Sequence, residues 1–331
     1  MIGRDPFDVE AHTLRLFRDL YSDGGQIQGA ALAGIEYGCW DILGKAMGLP
    51  VYKLLGGRCH TQLRAYANGW YRGPRTPENF HEQAKDVVAR GYTALKCDPF
   101  GSAWRVVDRR EFALALEIIA AVRDAVGPEV DLLIEGHNRF SVPMALQFAE
   151  AMAPFSPTWF ETPVPPQRLS AIVEVARRSP VPIACGEDYS NREQFAELLK
   201  HDAVHIIQLE PQYLGMTAAK QVCAIVHAHN GVTAPHCAQG PLCSLVNAHL
   251  NTATPNFFLQ ESFDEFNDGW GSAILTHPFK IDHGFASVDE DRPGWGTDLN
   301  YELMAKHPYS PEHTLSLFRD GWEKRDGTRL S

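Results

Sequence analysis

DLLIEGHNRF (131–140), TWFETPVPP (158–166), VPIACGED (181–188), VHIIQLEP (204–211), GVTAPHCA (231–238) and FFLQES (257–262) decide the fold. Each is a short apolar run that meets an ionisable residue near its end. Near-continuous apolar runs of this length fit strands buried on both faces, as in a parallel sheet. LRAYANGW (63–70) and TALKCDPF (93–100) precede them and bring the number to eight. Amphipathic stretches lie between, such as EFALALEIIAAVRDAVG (111–127), ALQFAEAMAPF (145–155), REQFAELLKHDA (192–203) and AAKQVCAIVHAHN (218–230). Gly or Pro often follows them, which is helix-stop chemistry. Eight βα units in succession predict a closed barrel rather than an open doubly wound sheet. No Gly-rich dinucleotide or phosphate loop follows any strand.

Outward from these runs the character changes. AHTLRLFRDLY (11–21) and GAALAGIEYGCWDILGKAMG (29–48) read as helices. The tail is Pro/Gly-rich at DRPGWG (291–296) and ends in a short helical pattern, EHTLSLFRDGWEK (312–324). The expected class is therefore α/β: a (β/α)8 TIM-type barrel with a truncated, mainly helical capping segment drawn from both chain ends. Residues 1–62 would form the cap remnant, 63–285 the barrel, and 286–331 a segment packing on the cap. The 331 residues suffice for a barrel of about 250 plus these additions.

A net charge of −11 and the lack of a basic patch argue against a nucleic-acid partner. They do not exclude an acidic small molecule, because a bound cation reverses the local field. No apolar run approaches a membrane span, and MIGRDPFDVE (1–10) does not read as a signal peptide. The seven cysteines are irregularly spaced, with no CxxC pair, which predicts reduced thiols and a cytoplasmic protein. Cys97, Cys185 and Cys237 lie near strand ends and are read as packing residues. Trp70, Trp104 and Trp159 are candidates to line a pocket, with core packing preferred for Trp159.

Active sites of barrels lie at the C-terminal ends of the strands. Lys96 ends the second run, with Asp98 two residues on. Glu135 and His137 end the third, Glu161 the fourth, Glu187 the fifth, Glu210 the sixth, His236 the seventh and Glu261 the eighth. From Glu135 onward the spacings are 26, 26, 23, 26 and 25 residues, one βα unit each. A single such carboxylate is most often a salt-bridged residue. Six carboxylates and imidazoles at equivalent positions are not explained that way, since buried charge is costly unless paired or metal-bound. Glu135, Glu161 and Glu187 on adjacent strands make an all-oxygen set suited to Mg²⁺. Glu210 beside His236 would fix the imidazole tautomer and make a general base, standing opposite the metal ligands. Period-two alternation would carry His137 to the Glu135 side, as a general acid.

These residues, together with ALAGIEYGCWDILGKAMGLPVYKLLGG (31–57) and the LKCDPF, IEGHNRF, WFETPVPP, ACGED, IIQLEP, APHCAQGP and FLQES segments, resemble the enolase superfamily, mandelate racemase subgroup. The resemblance runs nearly the whole length. It implies Mg²⁺ held by Glu135, Glu161 and Glu187, a His236–Glu210 pair, and Glu261 contacting the enolised carboxylate. The IEGHNRF histidine resembles that of galactonate-type sugar-acid dehydratases, where it expels the β-hydroxyl, and a similar segment occurs in anhydrogalactonate cycloisomerases. Relatives usually carry Asp at the Glu135 and Glu210 positions. Where the racemases have a second lysine after Lys96, this chain has Asp98, which disfavours a two-base racemase. The family's cap begins with an antiparallel sheet, whereas this sequence starts within the cap's helical part.

The function expected is Mg²⁺-dependent abstraction of the proton α to a carboxylate, followed by loss of the β-hydroxyl to give a 2-keto-3-deoxy acid. Lys96 and Mg²⁺ would neutralise developing charge, His236 would take the proton and His137 would protonate the hydroxyl. A cycloisomerase or epimerase of an (anhydro)sugar acid is one alternative, and a non-catalytic truncated barrel the other. A small-molecule sugar acid and further copies of the chain are the partners expected.

Overall fold

The computed structural model describes residues 2–19, 21, 24–266 and 270–310. The helical pattern expected over 312–324 lies outside them. Eight strands carry the order read from the sequence: β1 (Leu63–Ala67), β2 (Ala94–Cys97), β3 (Asp131–Glu135), β4 (Trp159–Glu161), β5 (Ile183–Cys185), β6 (Ile206–Ile207), β7 (Val232–Thr233) and β8 (Gln260–Ser262). β1 to β7 are neighbours in sequence order, and β8 pairs with β1. A parallel bridge between Thr233 and Phe257 ties the approach to β8 to β7. That closed order, with a helix after nearly every strand, is the (β/α)8 TIM-type barrel. Two short further strands follow, β9 (Ile281–Asp282) and β10 (Phe285–Ala286), and β10 runs antiparallel to the start of β1.

The chain divides into two compact units. One comprises residues 65–184 with 282–284 and 304–310. Its strands are apolar on both faces: Leu95, Leu132, Leu133, Ile134, Trp159 and Phe160 are fully buried. Its helices start on chemistry legible in the sequence. Asp108 caps the helix Arg109–Val126 by accepting the Arg110 and Glu111 amides at 2.8 and 3.0 Å. Thr76 caps Pro77–Ala89, with proline in the first turn, where its missing N–H costs nothing. Phe100, Phe140, Phe148 and Phe160 form one cluster with ring centroids 4.7–6.3 Å apart. Burying such rings stabilises by about 1.5–3 kcal/mol each, and the cluster fixes the chain that leaves β2 and β3.

The other unit comprises residues up to 64, 185–281 and 285–303. Its long helix Gly25–Met47 packs on the helix Pro211–Ala228. The latter is broken at Gly215, at φ 76° and ψ 167°. A Cβ there would stand 1.9 Å from Glu36 Oε2, so only glycine fits. The Glu36 carboxylate meets the restarted helix: it accepts the Thr217 amide at 2.7 Å and the Trp40 indole N–H at 3.1 Å. Burial pushes the Glu36 carboxyl up, against the lowering effect of those Thr217 and Trp40 bonds. Among the described residues no helix is long and apolar enough to cross a membrane.

Candidate active site

In the first unit β3 and β4 pair in parallel with Glu135 opposite Glu161, so both strands deliver a carboxylate at the same level. Both side chains are buried. Lys96, near the end of β2, lies between them: Nζ is 3.1 Å from Glu135 Oε2 and donates to Glu161 Oε1. The ammonium also stands 5.5 Å from the Tyr66 ring centroid. Glu161 Oε2 accepts the Trp159 indole N–H at 2.8 Å. Glu135 Oε1 accepts the His137 amide at 2.7 Å and the Thr162 hydroxyl at 3.0 Å. Burial works against ionisation of Glu135, but the charges of His137 and Lys96, a hydrogen bond with Glu161 and the His137 amide outweigh it and hold its carboxyl well below the usual range.

His137 arrives by a route the sequence did not show. β3 ends at Glu135, and His137 and Asn138 take left-handed φ values of 44° and 56°. Strand alternation therefore does not place His137; a turn does. The turn is held on both sides: Gly136 and Asn138 donate to the Glu161 and Thr162 carbonyls at 2.9 and 2.7 Å, and Arg105 donates to the Arg139 carbonyl at 2.8 Å. Gly136 must be glycine because a Cβ would lie 2.7 Å from the Glu161 carbonyl. His137 Nδ1 lies 2.8 Å from Asp98 Oδ2. Burial depresses the His137 pKa, yet Glu135 and Asp98 more than offset this and raise it. Asp98, noted in the sequence only as the missing second lysine, and Arg139 beside it were not foreseen as site residues.

In the second unit Glu210 caps the helix beginning at Pro211. Its Oε1 accepts the Gln212 amide at 2.9 Å. Its Oε2 receives His236 Nδ1 at 2.7 Å and the Gln239 side-chain Nε2 at 3.0 Å. His236 stays strand-like, donating its own amide to the Leu209 carbonyl at 3.0 Å, and Asn247 holds its carbonyl at 2.9 Å. An ionised carboxylate only accepts, so Nδ1 carries a proton and Nε2 is the exchanging position. Burial lowers the His236 pKa, but Glu187, Glu210 and Glu261 together raise it well above the ordinary value. The expectation that His236 stands away from the metal-ligand carboxylates is not met: Nε2 is 3.7 Å from Glu187 Oε2, an approach that opposite charges favour. Glu261, at 0% exposure, accepts the Cys237 amide at 2.7 Å. Gln239, another member of this group, had no signal in the sequence.

Glu135 and Glu161 offer carboxylate oxygens at one level in the first unit, and Glu187 follows β5 in the second. All three are hard oxygen donors with no soft ligand among them, the chemistry that suits a small divalent cation. The other sequence candidates separate cleanly. Cys97, Cys185 and Cys237 are buried thiols outside any disulfide. Trp70 and Trp159 are core residues, whereas Trp104 is 53% exposed with the Arg105 guanidinium 4.4 Å over its ring.

A parallel barrel carrying strand-end carboxylates, a strand-two lysine and a strand-seven histidine defines a class, and comparison with known proteins bears it out. Residues 79–303 match the family described as enolase C-terminal domain-like, and residues 1–56 match the mandelate racemase/muconate lactonizing enzyme N-terminal domain. The chain belongs to the enolase superfamily, mandelate racemase/muconate lactonizing enzyme family. Within it, the chain is 33% identical over 312 residues to the D-gluconate dehydratase of Thermoproteus tenax, covering 94% of this chain and 63% of that protein. It is 32% identical over 318 residues to the D-gluconate/D-galactonate dehydratase of Picrophilus torridus, covering 96% of this chain and 81% of that one. Among solved structures, a mandelate racemase/muconate lactonizing enzyme from Jannaschia sp. CCS1 superposes with a TM-score of 0.87 at 31% identity, over 94% of this chain and 82% of the other.

Proposed function

We propose that the protein is a Mg²⁺-dependent sugar-acid dehydratase acting on a gluconate- or galactonate-like acid. The observation that carries this is the presence of two imidazoles, each bonded through Nδ1 to a buried carboxylate and each leaving Nε2 to exchange protons. Elimination of water needs one group to take a proton and another to give one. The dehydratase relatives named above support the same reading.

Glu135, Glu161 and Glu187 would hold the cation. When bound, Mg²⁺ supplies positive charge against the substrate carboxylate as it enolises. His236 Nε2 takes the C2 proton, and Glu210 stabilises the imidazolium formed. Lys96, between Glu135 and Glu161, adds fixed positive charge to the same region. Glu261 orients the carboxylate. His137 Nε2 gives a proton to the C3 hydroxyl as the C3–O bond breaks. Water leaves, and the enol tautomerises to a 2-keto-3-deoxy acid. Residues 1–62 act as the cap, 63–285 as the barrel and the described part of 286–331 as a segment on the cap, with the chain assembled as a homo-oligomer; a monodisperse monomer by light scattering overturns that last part.

Incubation with a panel of hexonic and pentonic acids and Mg²⁺, with assay for 2-keto-3-deoxy acids, tests the reaction. A keto-deoxy product from one or a few of them is expected. A product isomeric with its substrate would move the assignment to a cycloisomerase or epimerase.

A further inference from the structure

Asp98 is a carboxylate at 0% exposure, two residues beyond Lys96. Such a group is costly to bury unless every oxygen is met. Oδ1 accepts the Phe100 amide at 2.9 Å. Oδ2 receives both His137 Nδ1, at 2.8 Å, and the guanidinium of Arg139. Arg139, also at 0% exposure, is itself fixed: it donates to the Gly101 carbonyl at 2.7 Å, and its guanidinium lies 5.8 Å from the Phe100 ring centroid.

The donor–acceptor inventory sets the tautomer. Guanidinium does not deprotonate in proteins, so Arg139 keeps Asp98 a carboxylate, and a carboxylate can only accept. His137 Nδ1 must then carry hydrogen. The 3.3 Å approach of Arg139 to the same Nδ1 is that of two donors sharing one oxygen. Nε2 is left as the position where His137 gains and loses its proton. A pair serving structure alone would be complete as Asp98 with Arg139; here the same oxygen is also given to the imidazole, whose side chain is 23% exposed.

We propose that Asp98, backed by Arg139, is the positioning residue for His137: it fixes the Nδ1–H tautomer and ring orientation so that Nε2 delivers the proton to the departing hydroxyl. This rests on the dehydratase reading, and the test separates the two. With histidine labelled in ¹⁵N, the wild type should show a His137 Nδ1–H resonance, identified by its loss in His137→Asn. Asp98→Asn should remove it or shift it strongly upfield. The double variant Asp98→Asn/Arg139→Gln, which leaves no buried guanidinium unpaired, should do the same if the single variant folds poorly. On the acid sugar that the wild type dehydrates, Asp98→Asn should lose dehydration by about 10²-fold while retaining exchange of the C2 hydrogen with D₂O. Adding it to His137→Asn should cost nothing more. Unchanged resonance and dehydration in Asp98→Asn overturn the proposal, as does parallel loss of exchange and dehydration. A wild type that turns over no acid sugar, yet shows the resonance and its loss in the variant, overturns the dehydratase reading and leaves the positioning role standing.

Discussion

Two imidazole–carboxylate pairs in this molecule make the same Nδ1–carboxylate contact on different scaffolds. Glu210 and His236 sit on regular structure: the carboxylate begins a helix, and the histidine continues a strand. Asp98 and His137 sit in loops: the carboxylate follows β2, and the histidine occupies a turn at φ 44°. The first pair is held by main-chain ladders and a helix start, the second by a buried guanidinium and a phenylalanine cluster. Backbone periodicity therefore finds the first pair, whereas in the second it names His137 but not its partner Asp98. A third imidazole sharpens the contrast. His249 is buried without a carboxylate, accepts the Tyr52 amide at 3.1 Å, and is pushed down to about 3 by burial.

The largest expected effect is common to both pairs. Chelation, or Glu161→Gln, should abolish turnover to below detection, with Mg²⁺ restoring only the chelated wild type; undiminished activity after exhaustive chelation would sink the metal assignment. The next experiment divides the pairs. His236→Asn should lose both dehydration and C2-hydrogen exchange in D₂O, by about 10²–10⁴-fold. His137→Asn should lose dehydration to a similar extent and keep exchange, since enolisation needs only the base. The opposite pattern would exchange the two roles, and unaltered turnover in both would end the dehydratase reading.

Smaller effects test the scaffolds. Gly215→Ala adds a Cβ at φ 76° against Glu36 and should destabilise by about 2–3 kcal/mol, read as a lowered Tm. Because the kink lies five residues beyond Glu210, kcat should fall with it; a variant as stable as wild type would show that the helix start tolerates another path. The smallest effect belongs to His249. Its folded pKa lies below the unfolded value of about 6.5, so the unfolded chain binds the extra proton. Stability is then full above about pH 6.5 and is lost as pH falls toward 3, at up to about 1.4 kcal/mol per pH unit. Denaturant titrations between pH 7 and 5 should show this slope, flattened in His249→Gln.

The sequence by itself determined the eight strands, the barrel order and the ionisable residues at their ends. Those signals are local: buried strands are continuously apolar, so Glu135, Glu161, Glu210 and Glu261 stand out as exceptions that need a reason. Glu135 and Glu161 could be aligned by counting, because parallel neighbours fall in register one βα unit apart. The tertiary structure alone decided that Asp98 and Arg139 belong to His137, that Gln239 bonds Glu210, and that His236 approaches Glu187. Such partners come from turns with positive φ and from side chains on different strands and loops. Their meeting depends on where the packed core sends the chain, which no spacing within one segment records.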